Sequence, residues 1–447
     1  MGRTGLRAVR RGRSRPRRHH ERGDRRRFRR LADRRAGHHS AAGRRSRSDR
    51  PRPPHQPRGI EEVAVELRPL RIGVAGLGAV AQSVHLPLVK RRWDLFDLVA
   101  VADLSATARA NIGERFGVPA EHRHVTLRAM LDAEELDGVL LLTSGSHGED
   151  AAECVRRGVA VFCEKPLAYS LAEIDRLREV EAQAGRPLLL LGYMKEYDAA
   201  VRRLADRLPE ASTLRYVDVE VLHPSSTAQL AFANLREPVR DADPEALAAV
   251  LEAGRASLRT ALGSAPADFG ALYANVVLGS LIHDISLVRS LFGSIRDVQN
   301  ATLWATQDDP GSIEISGTLA GDARVHVHWH YLADYPRYRE TVTVHHTTGS
   351  LELEFTVPYL LNAPTELRIV SSDGVGESVE VVRDVTEAFE TELVAFHRMV
   401  TEGVVPPTGS EQGARGRRHG TEDRPRARRV AGRRRRGRAR RRVIGLA

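Results

Sequence analysis

Lysine is almost missing from this chain: Lys90, Lys165 and Lys195 stand against 66 arginines. Cysteine is nearly as scarce. Cys154 and Cys163 are the only two; they form no metal-type spacing and are too few to staple a small secreted fold, so a reduced, cytoplasmic protein is expected. No uninterrupted apolar run approaches the roughly 18 residues of a membrane span. Arg29-Arg30 is followed by Leu31-Ala32-Asp33-Arg34 instead of an apolar stretch, so neither a secretion leader nor a membrane segment is expected. There is no internal repeat.

Charge is distributed very unevenly. Residues 1–58 hold 22 Arg against 4 acids, and residues 411–447 hold 15 Arg against 3, while the whole chain carries +11. The body, 59–410, is therefore acidic, with a net −19. The two arginine-rich ends have no apolar periodicity and cannot bury a core. They could neutralise phosphates, but they lack interleaved aromatic residues and any DNA-reading motif, so no nucleic-acid partner is expected. Arg, Gly, Pro and Ala without Lys is what GC-rich DNA encodes even out of frame. Residues 1–66 are read as an over-called start and 406–447 as a frame-shifted, disordered end.

From about residue 70, short apolar runs alternate with helical patterns. The runs are Arg71–Ala75, Leu98–Ala102, Gly138–Thr143, Val159–Cys163 and Pro187–Gly192, with amphipathic stretches near 80–92, 105–116, 148–157 and 170–184. Continuous apolar strands separated by helices predict an α/β unit, a doubly wound parallel sheet over residues 67–192. After residue 193 the strands alternate in period two, as in Leu214–Leu222, Ser312–Leu319, Ala323–Tyr331, Arg339–His345, Ser350–Phe355 and Glu366–Ser371. Residues 193–405 are thus predicted to form a second α/β domain with a large, mostly antiparallel open sheet. A helical segment near 228–292 and a last helix at 385–401 complete it.

The strand Arg71–Ala75 runs into Gly76-Leu77-Gly78-Ala79-Val80-Ala81. This is G-x-G-x-x-A: a glycine for the tight turn, a second for close approach of a pyrophosphate, and a small residue for packing of helix on sheet. The next strand ends in Asp103, about 25 residues on, where a carboxylate can grip ribose hydroxyls. Asp103 favours NAD, with NADP as the alternative: Leu104-Ser105 brings no adjacent arginine, and Arg109 lies a helical turn away. Gly76, Gly78, Ala79, Val80 and Asp103 are the predicted cofactor contacts.

Scarcity makes Lys165 conspicuous. It follows Val159-Ala160-Val161-Phe162 in Cys163-Glu164-Lys165-Pro166. Arginine cannot release a proton near neutrality, whereas a lysine in a suitable site can, so Lys165 at a strand end is a candidate for chemistry; the plain alternative is a surface lysine capping a turn. Downstream, Leu278, Leu281, Ile285 and Val288 form a helical apolar stripe that leaves His283, with Gly279 four residues before it, on the opposite face. A histidine looking into a cleft could serve as general base.

Together, the glycine turn, Glu164-Lys165-Pro166, Gly192-Tyr193-Met194-Lys195-Glu196-Tyr197-Asp198 and His283-Asp284-Ile285 before Leu291-Phe292-Gly293 resemble the glucose–fructose oxidoreductase/inositol dehydrogenase (Gfo/Idh/MocA) family over roughly residues 70–405. The resemblance implies a Rossmann domain followed by an open-sheet domain. It also implies NAD(P)-dependent hydride transfer at a hydroxyl or carbonyl carbon of a sugar, polyol or related small molecule, and a homodimer or homotetramer assembled through the exposed sheet face. It places Lys165 beside the nicotinamide, against the reacting oxygen, with Glu164 holding it and Pro166 shaping the turn. It makes His283 the proton acceptor. Thr143 and His147 fall in the loop after the fourth strand, where relatives carry Thr-Pro-Asn and a histidine, and are read as shaping the cofactor site. Lys195, Tyr197 and Asp284 are lower-ranked substrate contacts, with a hinge or surface role equally open for the first two. Catalytic relatives carry Asp-x-x-x-His where this chain has Gly279-Ser280-Leu281-Ile282-His283. Asp284, about 100° around the helix, is a poor substitute. The missing carboxylate raises the alternative of a catalytically silent cofactor binder.

His326, His328 and His330 alternate along one strand and share a face. With no acidic partner nearby in the sequence, they are read as an exposed or subunit-contacting stripe and no metal is assigned.

Overall fold

The computed structural model describes residues 68–208, 213–225, 241–265, 269–304 and 310–409, all within one compact unit. The arginine-rich ends, and the first part of the expected 228–292 helical segment, lie outside the described residues.

The apolar runs make a six-stranded parallel sheet of β1 (Leu70–Ala75), β2 (Phe96–Ala102), β3 (Arg123–His124), β4 (Gly138–Leu141), β5 (Ala160–Cys163) and β6 (Leu189–Leu191). Its strand order is β3-β2-β1-β4-β5-β6, the doubly wound arrangement with its switch point between β1 and β4. Helices cover both faces, so β4, β5 and β6 are buried at every residue. The helices are α1 (Leu86–Arg91, entered through a π-helical turn at Ala81–His85), α2 (Ala106–Phe116), α3 (Leu127–Ala133), α4 (Gly148–Arg156) and α5 (Leu171–Ala184). Local chemistry sets their ends. Ser105 accepts from the Ala108 amide, and Ser170 with Glu173 forms a capping box on α5, satisfying amides that have no partner in the first turn. β3 and α3 were not anticipated, because two residues or seven carry too little periodicity to register.

The second sheet has eight strands: β7 (Leu214–His223), β8 (Asp297–Trp304), β9 (Ser312–Thr318), β10 (Arg324–Tyr331), β11 (Arg339–His346), β12 (Gly349–Phe355), β13 (Glu366–Ser372) and β14 (Glu377–Arg383). The order is β14-β13-β12-β11-β7-β10-β9-β8. Every pairing is antiparallel except β7 with β10. β8 and β14 are the edges; nearly all their residues are exposed, so neither has the buried alternate face that makes a strand legible in sequence.

Four more helices are α6 (Ala199–Arg207), α7 (Pro244–Leu262), α8 (Phe269–Phe292) and α9 (Ala388–Glu402). By length and composition α8 could cross a membrane. Here it packs on the second sheet, with Trp329 Nε1 of β10 donating to Ser280 Oγ at 3.0 Å.

α9 packs back on the first sheet. The Phe396 ring stands over β4 and β5, 6.0 Å from the Phe162 ring. A Cβ at Gly138 would lie 2.7 Å from Phe396 Cζ, so glycine makes room for the aromatic anchor. Residues 406–409, expected to begin the disordered end, instead line the first sheet. The Leu191 amide donates to the Thr408 carbonyl at 2.8 Å, and the buried Thr408 hydroxyl donates to the Leu191 carbonyl at 2.8 Å.

α9 also buries a carboxyl. Glu392 is fully enclosed, and neither of its oxygens has a hydrogen-bond partner. Burial, then repulsion from Glu164 and Glu196, pushes its pKa well above the carboxylate range. A folded-state pKa raised above the unfolded value costs nothing below about 4.5 and progressively more as pH rises. Glu392→Met is therefore expected to stabilise the fold by about 1–3 kcal/mol at neutral pH, with a smaller gain at pH 5 than at pH 8 by urea denaturation. Equal effects at both pH values would contradict the assignment.

Candidate functional site

The site lies where the two sheets meet, above the switch point. β1 ends at Gly76, whose φ is +93°. A Cβ there would stand 2.5 Å from the Thr143 amide nitrogen, so the loops after β1 and β4 can touch only through glycine. At Gly78 a Cβ would meet nothing within 4 Å; the turn is open on the side a pyrophosphate would occupy, with Ala79 and Val80 opening the helix behind it. Ala81, fully buried, is the small packing position. This cradle fits a dinucleotide, its phosphates facing the helix start.

Asp103 ends β2. It accepts from the Leu77 amide and from the Ser105 amide, each at 2.8 Å, which fixes the carboxylate beside the glycine turn. The structure brings Arg109 closer than one helical turn suggested: its guanidinium donates to the Asp103 carbonyl at 2.5 Å. A residue that sequence reading missed completes this corner. Asp241 accepts from the Thr107 amide at 2.8 Å, across 134 positions. The Ser105 hydroxyl, then the Thr107 amide and hydroxyl, pull its pKa down to about 2. No local signal could have found it, since the contact is purely tertiary.

The loop after β4 is clasped by His147, which is buried and does not face the cleft. Its Nδ1 lies 2.6 Å from the Pro166 carbonyl and its Nε2 2.7 Å from the Thr143 carbonyl. It ties the Thr143 loop to the Lys165 loop and is a positioning residue.

Lys165 leaves β5 half-buried, and its peptide bond to Pro166 is cis. Its ammonium donates to the backbone carbonyl of Gly279. Glu164 holds Lys165 through its backbone amide and not through its ammonium. Its carboxylate is bonded to His85 Nε2 at 2.8 Å and receives the Lys165 amide at 3.2 Å, so it fixes the backbone of the lysine. Burial opposes ionisation of Glu164, but the His85 hydrogen bond and charge, with Lys165, outweigh burial and hold its pKa low. Burial lowers the pKa of Lys165; Glu164 opposes this and the Lys195 charge adds to it.

The acceptor of Lys165 lies in a distorted part of α8. Residues Tyr273–Leu281 are wound as a π-helix, and α-geometry resumes at Ile282. Wide turns of this kind are concentrated at functional sites. Leu278, Leu281, Ile285 and Val288 are all buried, while His283 is partly open. The position without a carboxylate, Gly279, thus offers its carbonyl oxygen instead. His283 stands edge-on to Tyr193, with ring centroids 6.3 Å apart, and its Nδ1 is buried without a hydrogen-bond partner. Burial, then the charges of Lys165 and Lys195, drives its pKa well below 6.5, so the ring is neutral and able to accept a proton.

Lys195, Tyr197 and Asp284 are not at a free surface. The Lys195 ammonium lies 2.6 Å from Asp284 Oδ1, is also bonded to the Glu340 carboxylate of β11, and sits 4.8 Å from the Phe355 ring centroid. All three charged side chains are buried. Tyr197 is buried with its hydroxyl 2.8 Å from Thr408 Oγ1. Substrate contact is corrected: Lys195 and Asp284 belong to an internal clamp with Glu340, and Tyr197 is bonded to Thr408. Burial weakens the Lys195 cation, but Asp284 and Glu340 more than compensate and raise its pKa. Burial and Glu340 push Asp284 well above the carboxylate range, because two carboxyls share one ammonium.

Lys195→Met is expected to cost about 3–5 kcal/mol, the usual result of removing one partner from a buried ionic group. Protonating Asp284, whose pKa is raised well above the carboxylate range, should recover part of that loss, so the deficit should be smaller at pH 5 than at pH 8 by chemical denaturation. A loss below about 1 kcal/mol would show that the clamp is dispensable.

A sequence profile described as an oxidoreductase family with an NAD-binding Rossmann fold matches residues 70–193. Inositol 2-dehydrogenase 3 of Saccharopolyspora erythraea is 30% identical over 138 residues, 31% of this chain and 40% of that protein. Inositol 2-dehydrogenase of Pseudomonas savastanoi pv. phaseolicola is 32% identical over 136 residues, again 40% of its length. The aligned region thus spans well under half of these relatives. Among solved structures, the 3-ketoreductase KijD10 of Actinomadura kijaniata, in complex with NADP, superposes with a TM-score of 0.58 at 18% identity, covering 77% of this chain and 93% of that one. The aldose-aldose oxidoreductase of Caulobacter crescentus, complexed with glycerol, gives 0.56 at 18% identity over the same shares. At this identity the superpositions establish a shared two-sheet fold.

Proposed function

We propose that this protein is an NAD-dependent oxidoreductase of the Gfo/Idh/MocA kind, acting on a hydroxyl or carbonyl carbon of a sugar, polyol or related small molecule; the match of residues 70–193 to that family's NAD-binding Rossmann profile supports the reading. The observation that carries the reading is the convergence of Lys165 and neutral His283 beside the Gly76–Gly78 cradle. Bound NAD would supply the hydride-accepting carbon. The residues of this chain supply the rest.

Lys165 holds the substrate oxygen and stabilises the alkoxide-like charge that develops on it. Its contact with the Gly279 carbonyl keeps the ammonium aimed at the cleft side of α8. His283 takes the hydroxyl proton, its depressed pKa keeping it deprotonated at working pH. Glu164, His85 and His147 position the lysine loop, and the Lys195 clamp positions α8. Asp103 grips the ribose hydroxyls. With Asp241 bonded to the Thr107 amide at the start of α2, a second carboxylate stands at the corner that Asp103 occupies, and this negative charge favours NAD over NADP despite Arg109.

Lys165→Ala is expected to lower kcat for an accepted polyol by about 10²-fold or more while NAD affinity, read by fluorescence titration, stays within about threefold of the parent. Unchanged turnover would sink the mechanism. In the oxidative direction kcat/KM should lose activity on the acid side only below pH 6.5, as His283 protonates, and on the alkaline side below 10.5, as Lys165 loses its proton. His283→Ala should abolish the acid limb.

Asp103→Asn should raise the NADP-to-NAD ratio of kcat/KM by about tenfold, and Asp241→Asn should move it the same way. A ratio that neither variant moves would remove both residues from cofactor choice.

The competing reading, a cofactor binder without turnover, rests on Gly279 standing where catalytic relatives have a carboxylate. Tight NAD binding with no turnover across a broad panel of polyols and sugars would favour it.

A further inference from the structure

The strand-spaced histidines were assigned no metal because no acidic residue is near them in sequence. The sheet supplies the acids. β10 runs between β7 and β9, and its side chains alternate. Val325, Val327 and Trp329 are buried on the α8 side, while His326, His328 and His330 are half-buried on the other face. Pairing puts Asp218 of β7 opposite His326, and Glu314 of β9 opposite His328. Two groups result, Asp218/His326/His328 and Glu314/His328/His330, and within each the three ligand atoms lie within 4.8 Å of one another.

His328 belongs to both groups, and its Nε2 can serve only one ion. Geometry separates them. His328 Nε2 is 3.2 Å from Asp218 Oδ1, whereas His330 Nε2 is 3.8 Å from Glu314 Oε1, on a more exposed carboxylate. Donors around a tetrahedral ion stand about 3.3 Å apart when metal–ligand bonds are about 2.0 Å, so the His328–Asp218 pair is already at coordinating separation. Asp218 is also held from behind: the Tyr216 hydroxyl donates to its Oδ1 at 2.6 Å, and the Tyr216 ring is fixed between His345, stacked at 5.5 Å, and His326, edge-on at 5.2 Å. A hydrogen bond that orients a ligating carboxylate is the usual outer support of a metal site.

We propose that Asp218, His326 and His328 form a binding site for a divalent transition-metal ion on the face of the second sheet opposite α8, separate from the nicotinamide cleft. Two imidazoles and one carboxylate suit zinc, nickel or cobalt, and do not suit magnesium or calcium, which prefer oxygen. Three protein donors leave a coordination position open to water or to a ligand from another molecule. The donors stand on two paired strands in mid-sheet, so little reorganisation opposes binding.

The test uses the full chain, stripped with a chelator and titrated with zinc against a chromogenic competitor. One equivalent of zinc should bind at micromolar affinity or better. His326→Ala, His328→Ala and Asp218→Asn should each weaken it at least about tenfold, and Tyr216→Phe should weaken it less. His330→Ala and Glu314→Gln should leave it within about threefold of the parent. Cobalt should give the visible absorption of a protein-bound ion with nitrogen donors, lost in His328→Ala. Circular dichroism and thermal unfolding establish that each variant is folded; Asp218→Asn, a half-exposed isosteric change, keeps the test decisive if a histidine variant is not. No tight equivalent, an equivalent insensitive to Asp218→Asn, or one lost with Glu314→Gln and kept in His326→Ala would each overturn the assignment.

Discussion

The bonds of the buried Lys195 ammonium to Asp284 and Glu340 are the constraint on which the proposed site depends. Lys195 lies in the turn after β6, Asp284 on α8 and Glu340 on β11, so one cation joins the end of the first sheet to the helix and to the second sheet. Removing either kind of partner would leave an uncompensated charge in the interior. The clamp therefore tolerates only one rotation of α8. His283 precedes Asp284 directly, and that rotation is what sets it beside the Lys165 loop.

Around this clamp the remaining contacts are graded. Ser280 to Trp329 and Ser286 to Glu196 hold α8 at both ends of the same segment. The π-helical stretch above them brings the Gly279 carbonyl to Lys165. The same helix thus carries His283, the base of the proposed mechanism, and the backbone acceptor of Lys165 at the position that has no carboxylate. On the other side, His85, Glu164 and His147 lock the lysine loop from beneath. Among the described residues, Glu392 is the one buried acid with neither oxygen hydrogen-bonded.

The open face of the second sheet shows how a pleated surface creates sites that its strands do not contain separately. A His-x-His-x-His strand has three imidazoles on one side and no anion. The carboxylates that turn them into donor sets come from β7 and β9, more than a hundred residues before β10 in one case and about a dozen in the other.

Much of the fold was legible in the chain itself. Continuous apolar runs of four to seven residues between helical patterns fit strands buried on both faces, and period-two runs fit strands buried on one. The glycine turn, Asp103 and Lys165 were legible for the same kind of reason: each is a local pattern with a specific steric or ionic demand. The four-residue stripe on α8 is buried, as its spacing suggested, and His283 is half-buried beside it. What failed to register was short, edge-like or long-range. β3 is two residues long, β8 and β14 have no buried face, and Thr408 returns to β6 across 217 positions. Lys195, Tyr197 and Asp284 looked like cleft residues because their polarity is visible in sequence and their burial is not. The amino-acid order alone determined periodicity, turn chemistry and the scarcity of titratable cations, all of which act between near neighbours. Only the tertiary structure decided which charges meet. It spent Lys195 on a clamp, turned Lys165 toward a backbone carbonyl, and carried Asp241 and Asp218 to partners, because electrostatic partnership depends on distance in space and not along the chain.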